Sequence, residues 1–242
     1  MRDYYGWRAR IGLIYPSESL VMDTEFYAMA PEGVGVYTNR VDLLDASYEG
    51  LAALVADDRI EVATAMFKRA PLDVVTFGGT SASFLHGADY DQKLIMRMEA
   101  ALPGVPASTT STAGVKALRA LGVQKPCFVG PYVDEVTDRG REFFNANGFD
   151  VTSAHGLGIT DNLELDALPL EQIYEFVKNS VDDSADGVFI SCTGIRTIGA
   201  IAALEVDLGR PVVSAIQATF WDALRVAGVG GGKADFGSLF EY

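Results

Sequence analysis

Cysteine and histidine are scarce in this chain, and their scarcity limits the chemistry that it can support. The 242 residues contain two cysteines, Cys127 and Cys192, and two histidines, His86 and His155. Two thiols do not make a disulfide framework, and these four residues do not follow a zinc-binding spacing. We therefore expect no disulfide scaffold and no bound metal, and we assign neither histidine a catalytic role.

Long apolar runs and an excess of positive charge are also missing. No apolar segment is long enough to cross a bilayer, and residues 1–7 lack the apolar core of a signal peptide. The 19 Lys and Arg residues stand against 33 Asp and Glu, a formal net charge of −14. This balance disfavours nucleic acid as a partner, and an anionic ligand would have to be bound by local N–H and O–H donors. We expect a cytoplasmic protein without a membrane or nucleic-acid partner.

Short apolar, β-branched runs alternate along the chain with segments of helical periodicity. Apolar residues make up 49% of the composition and charged residues 21%, which is typical of a globular protein with a sizeable core. Alternation of strands and helices requires crossover connections, so we expect a mainly parallel sheet covered by helices on both faces. Within this pattern, residues 48–70 are predicted as one helix, and Ser17 is predicted to cap the helix that follows the first strand.

One stretch combines a buried strand with a thiol. Residues 186–194 read Asp-Gly-Val-Phe-Ile-Ser-Cys-Thr-Gly, a short apolar strand that breaks into small residues just before the apolar helical pattern of residues 197–208. In open α/β sheets, ligands bind beyond the carboxyl ends of the strands, where a following helix offers free N–H groups. Cys192 lies at the tip of this corner and is therefore our first candidate for chemistry.

An earlier segment repeats this corner without the thiol. Residues 73–81 read Asp-Val-Val-Thr-Phe-Gly-Gly-Thr-Ser and align without a gap with the stretch 113 residues later. The alignment places Gly79 where the second corner has Cys192, and Thr80 where it has Thr193. Other strand ends recur at similar spacing, which indicates duplication of one α/β half.

This duplication defines the predicted architecture. We expect an α/β fold of two pseudo-symmetric Rossmann-like lobes, each with a mainly parallel sheet flanked by helices, and an active site in the cleft between them. The N-terminal lobe is predicted to comprise residues 1–117 and 225–242, and the C-terminal lobe residues 118–224.

The two corners together resemble the aspartate/glutamate racemase superfamily, in which each of two pseudo-symmetric lobes presents one cysteine at such a corner. The motif Gly-Thr-Ser-Ala-Ser-Phe at residues 79–84, with glycine in the place of the first cysteine, is similar to the arylmalonate decarboxylase branch, which works with a single thiol and no cofactor. Further similarity to that branch lies in the segments 118–123, 131–132, 157–160, 211–214 and 220–222.

The resemblance implies roles for the residues that match the family's motifs. It makes Cys192 the catalytic residue, and it implies neither a cofactor nor a metal. The residues that it implies for substrate binding are Thr80, Ser81, Tyr132, Thr193, Gly79, Pro16 and Ser17. The partner would be a malonate or another small dicarboxylate, and we expect a monomer or a small homo-oligomer.

The implied reaction is the loss of CO₂ from a 2-aryl or 2-alkenyl malonate, catalysed by a carbon–carbon lyase. The electron pair left behind forms an enediolate, whose oxygens would be held in a dioxyanion hole while Cys192 protonates one face. For that step the thiol must be protonated at neutral pH. A helix N-terminus lowers the pKa of a thiol, and the apolar neighbours Ile190 and Ile195 oppose this effect.

Two other functions remain open. The segments Pro-Ser-Glu-Ser at residues 16–19 and Cys-Thr-Gly-Ile-Arg-Thr at residues 192–197 resemble the maleate isomerase branch, and Arg40 and Arg196 would suit a second carboxylate. These features favour a racemase or cis–trans isomerase that acts on a small dicarboxylate or an amino acid. The third alternative is a small-acid binding protein that has lost catalysis together with one thiol.

Overall fold

Two parallel four-stranded sheets form the centre of the protein. The computed structural model describes residues 5–242, apart from the side chain of Ala234. The first sheet contains β1 (Ala9–Pro16), β2 (Val34–Val41), β3 (Val74–Phe77) and β4 (Ala107–Thr109). The second sheet contains β5 (Pro126–Gly130), β6 (Ser153–Gly156), β7 (Gly187–Ile190) and β8 (Val212–Ser214).

Both sheets have the same strand order. The first runs β2-β1-β3-β4 and the second β6-β5-β7-β8, with neighbouring strands parallel. In the central pair of each sheet, Ile14 lies beside Phe77 and Val129 beside Ile190, so the two strand-to-turn corners occupy equivalent edges. β3 and β7 are buried along their whole length, as expected for parallel strands covered on both faces. The predicted α/β fold of two pseudo-symmetric lobes is confirmed.

Helices connect the strands and cover the sheets. In chain order they are α1 (Met22–Met29), α2 (Tyr48–Ala56), α3 (Arg59–Ala65), α4 (Thr80–Phe84), α5 (Ala88–Ala101), α6 (Thr110–Ala120), α7 (Asp134–Ala146), α8 (Asn162–Ala167), α9 (Leu170–Ser180), α10 (Ile198–Leu208) and α11 (Ala215–Val226). Two 3₁₀ turns, Ala234–Phe236 and Ser238–Glu241, follow α11. Across residues 5–242, none of the helices is both long and apolar enough to cross a membrane.

Two helices cross between the lobes. α6 follows β4 of the first sheet but packs against β7 and β8 of the second, where a Cβ atom on Gly114 would stand 2.8 Å from the Phe189 ring. α11 follows β8 of the second sheet and packs against β1, β3 and β4 of the first, with the ring centroids of Phe220 and Phe26 5.0 Å apart. This exchange joins the two lobes through their packing. The residue boundaries of the lobes stay a prediction.

The periodicity of residues 48–70 predicts one helix, but the structure does not form a single helix there. α2 ends at Ala56, α3 begins at Arg59, and the residues after Ala65 form turns. At the break, the Asp57 carboxylate accepts hydrogen bonds from the backbone N–H of Arg59 at 3.1 Å and from its guanidinium. A side chain that bonds the backbone locally competes with the helical pattern, and Asp57 therefore interrupts the helix.

The predicted cap at Ser17 is also wrong. α1 begins at Met22, and Val21 at its N-cap position makes no side-chain cap bond. The Ser17 hydroxyl instead donates to Glu18 Oε1 at 2.8 Å. The reason is that a separate turn starts at Ser17 and lies between β1 and α1.

Asp91 is a buried carboxylate near the start of α5 whose titration contributes to stability. It is 1% exposed and accepts hydrogen bonds from the hydroxyls of Thr109 and Thr112. Burial raises its pKa to about 6, although these bonds and the charge of Lys116 act in the opposite direction. The folded state therefore binds this proton more tightly than the unfolded chain does. The resulting stabilisation is complete below about pH 4 and is lost as the pH rises through about 6.

We predict that Asp91→Asn removes this pH dependence. Between about pH 4 and pH 8 the free energy of unfolding of the wild type should fall relative to that of the variant, by up to about 3 kcal/mol, since one pKa unit corresponds to about 1.4 kcal/mol. Other titrating groups are common to both proteins and cancel in the comparison. Urea unfolding of both proteins at a series of pH values measures the difference, and a constant difference over this range would contradict the prediction.

Candidate active site

Both corners open into one pocket between the lobes. The first corner follows β3 and the second follows β7. The six residues that they contribute to the lining are Gly79, Thr80, Ser81, Cys192, Thr193 and Gly194. The cavity measures about 520 Å³ when its opening to solvent is included. The candidate site therefore lies in the cleft where the two corners meet.

Three more residues were predicted for substrate binding, namely Pro16, Ser17 and Tyr132. Pro16 and Tyr132 line the same pocket. Ser17 is not among the lining residues, because its N–H donates to the Val41 carbonyl oxygen at 2.8 Å and its hydroxyl to Glu18. Ser17 thus supports the turn that carries Pro16 and Glu18, and the structure does not bring it to the cavity.

Cys192 is held in an unusual backbone conformation. Its φ angle is +94°, and no other non-glycine residue within 5–242 has a positive φ. Such a conformation costs on the order of 1–3 kcal/mol and persists only where the surroundings enforce it. Here it accompanies a tight turn at the end of β7, in which the N–H of Gly194 donates to Cys192 Sγ at 3.2 Å.

Hydrogen bonds from the first lobe hold the second corner in place. Thr193 Oγ1 donates to the carbonyl oxygen of Gly78 at 2.9 Å, and Ser19 Oγ donates to the carbonyl oxygen of Thr193 at 3.3 Å. The hydroxyl proton of Thr193 is therefore used within the fold and is not available to a ligand. The two corners are connected directly, not only through the sheets behind them.

The Cys192 thiol is buried, with 7% of the residue exposed, and burial raises its pKa to about 11. Desolvation is the largest effect. The N–H groups of Gly194 and Thr193 and the Tyr132 hydroxyl favour the thiolate, while the Asp166 carboxylate disfavours it. At neutral pH the group is therefore a protonated thiol, which can donate a proton and is a weak nucleophile.

Hydroxyl groups accompany the thiol in the pocket. Thr80 Oγ1 is buried and has no hydrogen-bond partner. Tyr132 Oη shares a hydrogen bond of 3.1 Å with Ser191 Oγ, and burial raises the pKa of Tyr132 well above its usual value, so this hydroxyl stays protonated. An unpaired buried hydroxyl costs about 1–3 kcal/mol, and Thr80 is therefore suited to donate to a ligand oxygen.

The pocket has an apolar wall that the sequence pattern did not predict. This wall consists of Leu43, Ala46, Leu51, Leu54, Ala82 and Leu165. The helical periodicity predicts that Leu51 and Leu54 share the buried face of α2. The same pattern does not show that this face borders a cavity. Whether a buried face borders a cavity depends on packing between segments that are distant in sequence.

Four polar lining residues were not among the predicted site residues, namely Glu18, Ser19, Asn162 and Asp166. Glu18 Oε2 is buried without a partner, while Oε1 accepts from Ser17 Oγ at 2.8 Å and from the N–H of Leu43 at 3.1 Å. Glu18 lies in the segment that resembles maleate isomerase, which was a usable signal. Asn162 and Asp166 lie on α8, whose six residues are too few to show a helical period.

Neither arginine that was considered for a second carboxylate lines the pocket. Arg40 Nη1 donates to the carbonyl oxygens of Ser17 and Ser19 at 2.8 and 3.0 Å. Arg196 Nη2 donates to the carbonyl oxygen of Leu168 at 2.7 Å. Each arginine therefore holds a loop beside the pocket. Within residues 5–242, the lining includes no Lys, Arg or His side chain.

Gly79 lines the pocket at the position that mirrors Cys192. A Cβ atom at this position would lie 2.5 Å from Phe77 Cζ and 2.7 Å from Phe77 Cε1, closer than packed atoms come. The Phe77 ring is fully buried, so it has little room to move. A second thiol at the first corner would therefore require the Phe77 ring to shift.

We predict that the Cys192 thiol reacts slowly at neutral pH. Its alkylation by iodoacetamide should accelerate about tenfold per pH unit from about pH 7 towards pH 11, because only the thiolate reacts and its fraction grows in this way below the pKa. Mass analysis of the peptide that contains Cys192, separate from the peptide of the buried Cys127, measures the rate. A titration midpoint below about pH 8 would disagree with the burial described above.

Comparisons with known proteins identify relatives of this chain. It matches the family model described as arylmalonate decarboxylase over residues 11–240. It is 39% identical to an arylmalonate decarboxylase of Bordetella bronchiseptica over 173 residues, which cover 69% of this chain and 71% of that protein. It is 29% identical to a maleate isomerase of Geobacillus stearothermophilus over 229 residues, which cover 89% of this chain and 90% of that protein.

A solved structure shows the same fold. It is the liganded form of an arylmalonate decarboxylase mutant in which one glycine is replaced by cysteine and one cysteine by serine. It superposes with a TM-score of 0.89 at 30% sequence identity, covering 96% of this chain and 99% of that one. Since the family model spans nearly the whole chain and a relative of 39% identity lies within that family, this chain belongs to the arylmalonate decarboxylase family.

Proposed function

We propose that this protein is a cofactor-independent decarboxylase of a 2-substituted malonate that carries an aryl or alkenyl group. The observation that carries the proposal is the asymmetry of the pocket: both mirrored corners line it, and a thiol stands at only one of them. An arylmalonate decarboxylase is a relative of 39% identity. A single acid at one side suits a reaction that delivers one proton to one face of an intermediate.

The first step needs donors for negative charge. Loss of CO₂ breaks a carbon–carbon bond and leaves its electron pair on the substrate as an enediolate. In our proposal the hydroxyls of Thr80, Ser81 and Tyr132, with N–H groups of the two corners, hold the enediolate oxygens. Fixed donors in a buried site stabilise developing charge, and the loss of one such donor typically costs about 3 kcal/mol. The unpaired Thr80 hydroxyl fits this role best.

The apolar wall accounts for the departure of the other carboxylate. Side chains such as Leu43, Leu51 and Leu165 offer a carboxylate no hydrogen bond. A charged group is poorly solvated against them, whereas neutral CO₂ is not, so this difference favours cleavage. The carboxylate of Glu18, which also lines the pocket, repels a bound carboxylate and acts in the same direction.

Cys192 completes the reaction. The proton of its S–H bond passes to the enediolate carbon, which forms a C–H bond and leaves a thiolate, and water then returns a proton to sulfur. A pKa near 11 keeps the proton on the thiol at neutral pH, while the enediolate is a strong enough base to remove it. Because the sulfur lies on one side of the intermediate, the product is a single enantiomer.

The variant Cys192→Ser tests the role of the thiol. We predict that CO₂ release from phenylmalonate falls by about 10²- to 10⁴-fold, the usual contribution of a general acid, while substrate affinity changes little. The matched control is Cys127→Ser, which removes the other buried thiol and should keep wild-type turnover. Turnover of Cys192→Ser within about twofold of the wild type would refute the role given to the thiol.

Moving the thiol tests the geometry of the two corners. In Gly79→Cys combined with Cys192→Ser the new side chain meets the Phe77 ring, and we predict little activity. Adding Phe77→Leu makes room for it. The triple variant should then convert 2-methyl-2-phenylmalonate to the enantiomer opposite to the wild-type product, because the proton comes from the mirrored corner. Chiral chromatography of the product measures this, and an unchanged enantiomer would contradict the opposed arrangement.

The second candidate function is isomerisation or racemisation of a small dicarboxylate or amino acid. The relationship to a maleate isomerase extends over 89% of the chain, and Ser19 and Asn162 give the pocket polar groups that an aryl substituent does not need. Incubation with phenylmalonate, maleate and a set of amino acids in D₂O separates the functions. Isomerisation or α-proton exchange without CO₂ would favour this second candidate. Thermal stabilisation by malonates without any turnover would indicate a binding protein.

A further inference from the structure

A carboxylate of the first lobe caps a helix of the second. Glu25 lies on α1 and is 7% exposed. Its Oε1 accepts hydrogen bonds from the backbone N–H groups of Thr197 at 2.6 Å and Ile198 at 3.2 Å, and its Oε2 accepts from the Thr197 hydroxyl at 3.0 Å. Thr197, at the N-cap position of α10, makes no side-chain cap bond of its own. Glu25 therefore supplies the cap from 172 residues away.

The capped helix follows directly after the segment that carries Cys192. This segment is bound to the first lobe at both ends, since Thr193 donates to Gly78 and Thr197 binds Glu25. The strained φ of Cys192 lies at its beginning. A strained conformation persists when the groups around it leave no alternative, and bonds at both ends of a short loop provide that restriction.

We propose that Glu25 is a positioning residue for the reaction: by capping α10 it holds the turn at Cys192 in the conformation that directs the thiol into the pocket. Glu25 itself is not among the lining residues, so it acts through Thr197. The inference rests on the proposed function for its catalytic readout only. The reactivity of the thiol reports the position of Cys192 without any turnover.

The hydrogen-bond chain beyond Glu25 accepts either protonation state of the carboxyl group. The single hydroxyl proton of Thr197 has two acceptors in reach, Glu25 Oε2 at 3.0 Å and Ser214 Oγ at 2.9 Å. When Glu25 is ionised, Thr197 donates to it and accepts from Ser214. When Glu25 is neutral, it donates to Thr197, which donates to Ser214. Only the direction of the bonds reverses, so the position of the group matters more than its charge.

The hydrogen bonds that the side chain can make distinguish glutamine from alanine at the position of Glu25. In Glu25→Gln the carbonyl oxygen accepts both backbone N–H groups, and the amide donates to Thr197 as the neutral acid does. In Glu25→Ala the buried donors lose their acceptor, which is costly. Burial raises the pKa of Glu25 to about 7, against the effects of its hydrogen bonds to Thr197 and Ile198 and of the charge of Arg196. The neutral form that glutamine imitates is thus well populated near neutral pH.

The experiment compares Glu25→Ala and Glu25→Gln with a matched control, Asp91→Ala. Asp91 is also a buried carboxylate that accepts from threonine hydroxyls, those of Thr109 and Thr112 at the start of α6, and its bonds do not reach the Cys192 segment. For each protein three quantities are measured: the rate of Cys192 alkylation by iodoacetamide, kcat and KM for phenylmalonate, and the midpoint of thermal unfolding.

We expect Glu25→Ala to change the alkylation rate by about tenfold, the equivalent of about one unit in the thiol pKa. Its kcat should fall by about 10²-fold with a smaller effect on KM, since a misplacement of about 1 Å costs a reacting group that much. Glu25→Gln should keep wild-type alkylation and kcat. Asp91→Ala should lower the unfolding midpoint and leave alkylation unchanged.

Three results would overturn the proposal: wild-type alkylation and kcat in Glu25→Ala, equal losses in Glu25→Gln and Glu25→Ala, or an equally large change of alkylation in Asp91→Ala. If Glu25→Ala does not fold, Glu25→Asp replaces it, because the shorter side chain keeps the charge but cannot reach both N–H groups, and the same loss is expected. If the wild type releases no CO₂, the proposed function fails, while the alkylation rates still decide the role of Glu25.

Discussion

The backbone strain at Cys192 is the constraint on which the candidate active site depends. A cysteine at a φ of +94° destabilises the backbone by on the order of 1–3 kcal/mol. This conformation persists only if neighbouring groups hold the residue in that form. Those groups come from the other lobe: Gly78 accepts the hydroxyl proton of Thr193, and Glu25 accepts the first N–H groups of α10. The thiol is therefore positioned by the assembly of both lobes and not by either sheet alone. A change at either of these two bonds should therefore alter the position of the thiol.

The electrostatics of the pocket follow from the same assembly. The chain has a formal net charge of −14, and the lining, as far as residues 5–242 describe it, includes no cationic side chain. Arg40 and Arg196 are occupied by carbonyl oxygens of the loops beside the pocket. An anionic ligand must therefore be held by hydroxyl and N–H dipoles that are in place before it binds, which is the arrangement that stabilises developing charge best. Burial strengthens these dipoles, and the same burial raises the pKa of Cys192 to about 11. One cause, the exclusion of water, thus strengthens the donors and also keeps the thiol protonated.

The sequence predicted the features that a local pattern can encode. The ungapped match between residues 73–81 and 186–194 located both corners, and the apolar runs of β3 and β7 placed them at strand ends. The pattern could not identify Glu25, because its partner lies 172 residues away, or α8, which is too short for a helical period. The break at Asp57 was missed for a different reason, since the helical periodicity there continues while a side chain competes for the backbone. The bonds of Glu25 depend on residues that are neighbours only in space, and the break at Asp57 depends on a local bond between a side chain and the backbone. Hydrophobic periodicity contains neither kind of information.

The two lobes of the duplicated fold are alike, so the functional properties of the pocket depend on the residues at which the lobes differ. The sheets share one strand order, and α6 and α11 are exchanged between them, so the two corners are equivalent in their framework. They differ in the thiol of Cys192 and in the ring of Phe77, which fills the volume that a side chain at Gly79 would need. In the proposed reaction, water in that volume could protonate the intermediate from the wrong side. The Phe77 ring fills the volume towards which a Cβ atom at Gly79 would point. In the proposed reaction, selectivity for one face would therefore depend on packing at the first corner as much as on sulfur at the second, and a cysteine introduced at the first corner would require the Phe77 ring to shift.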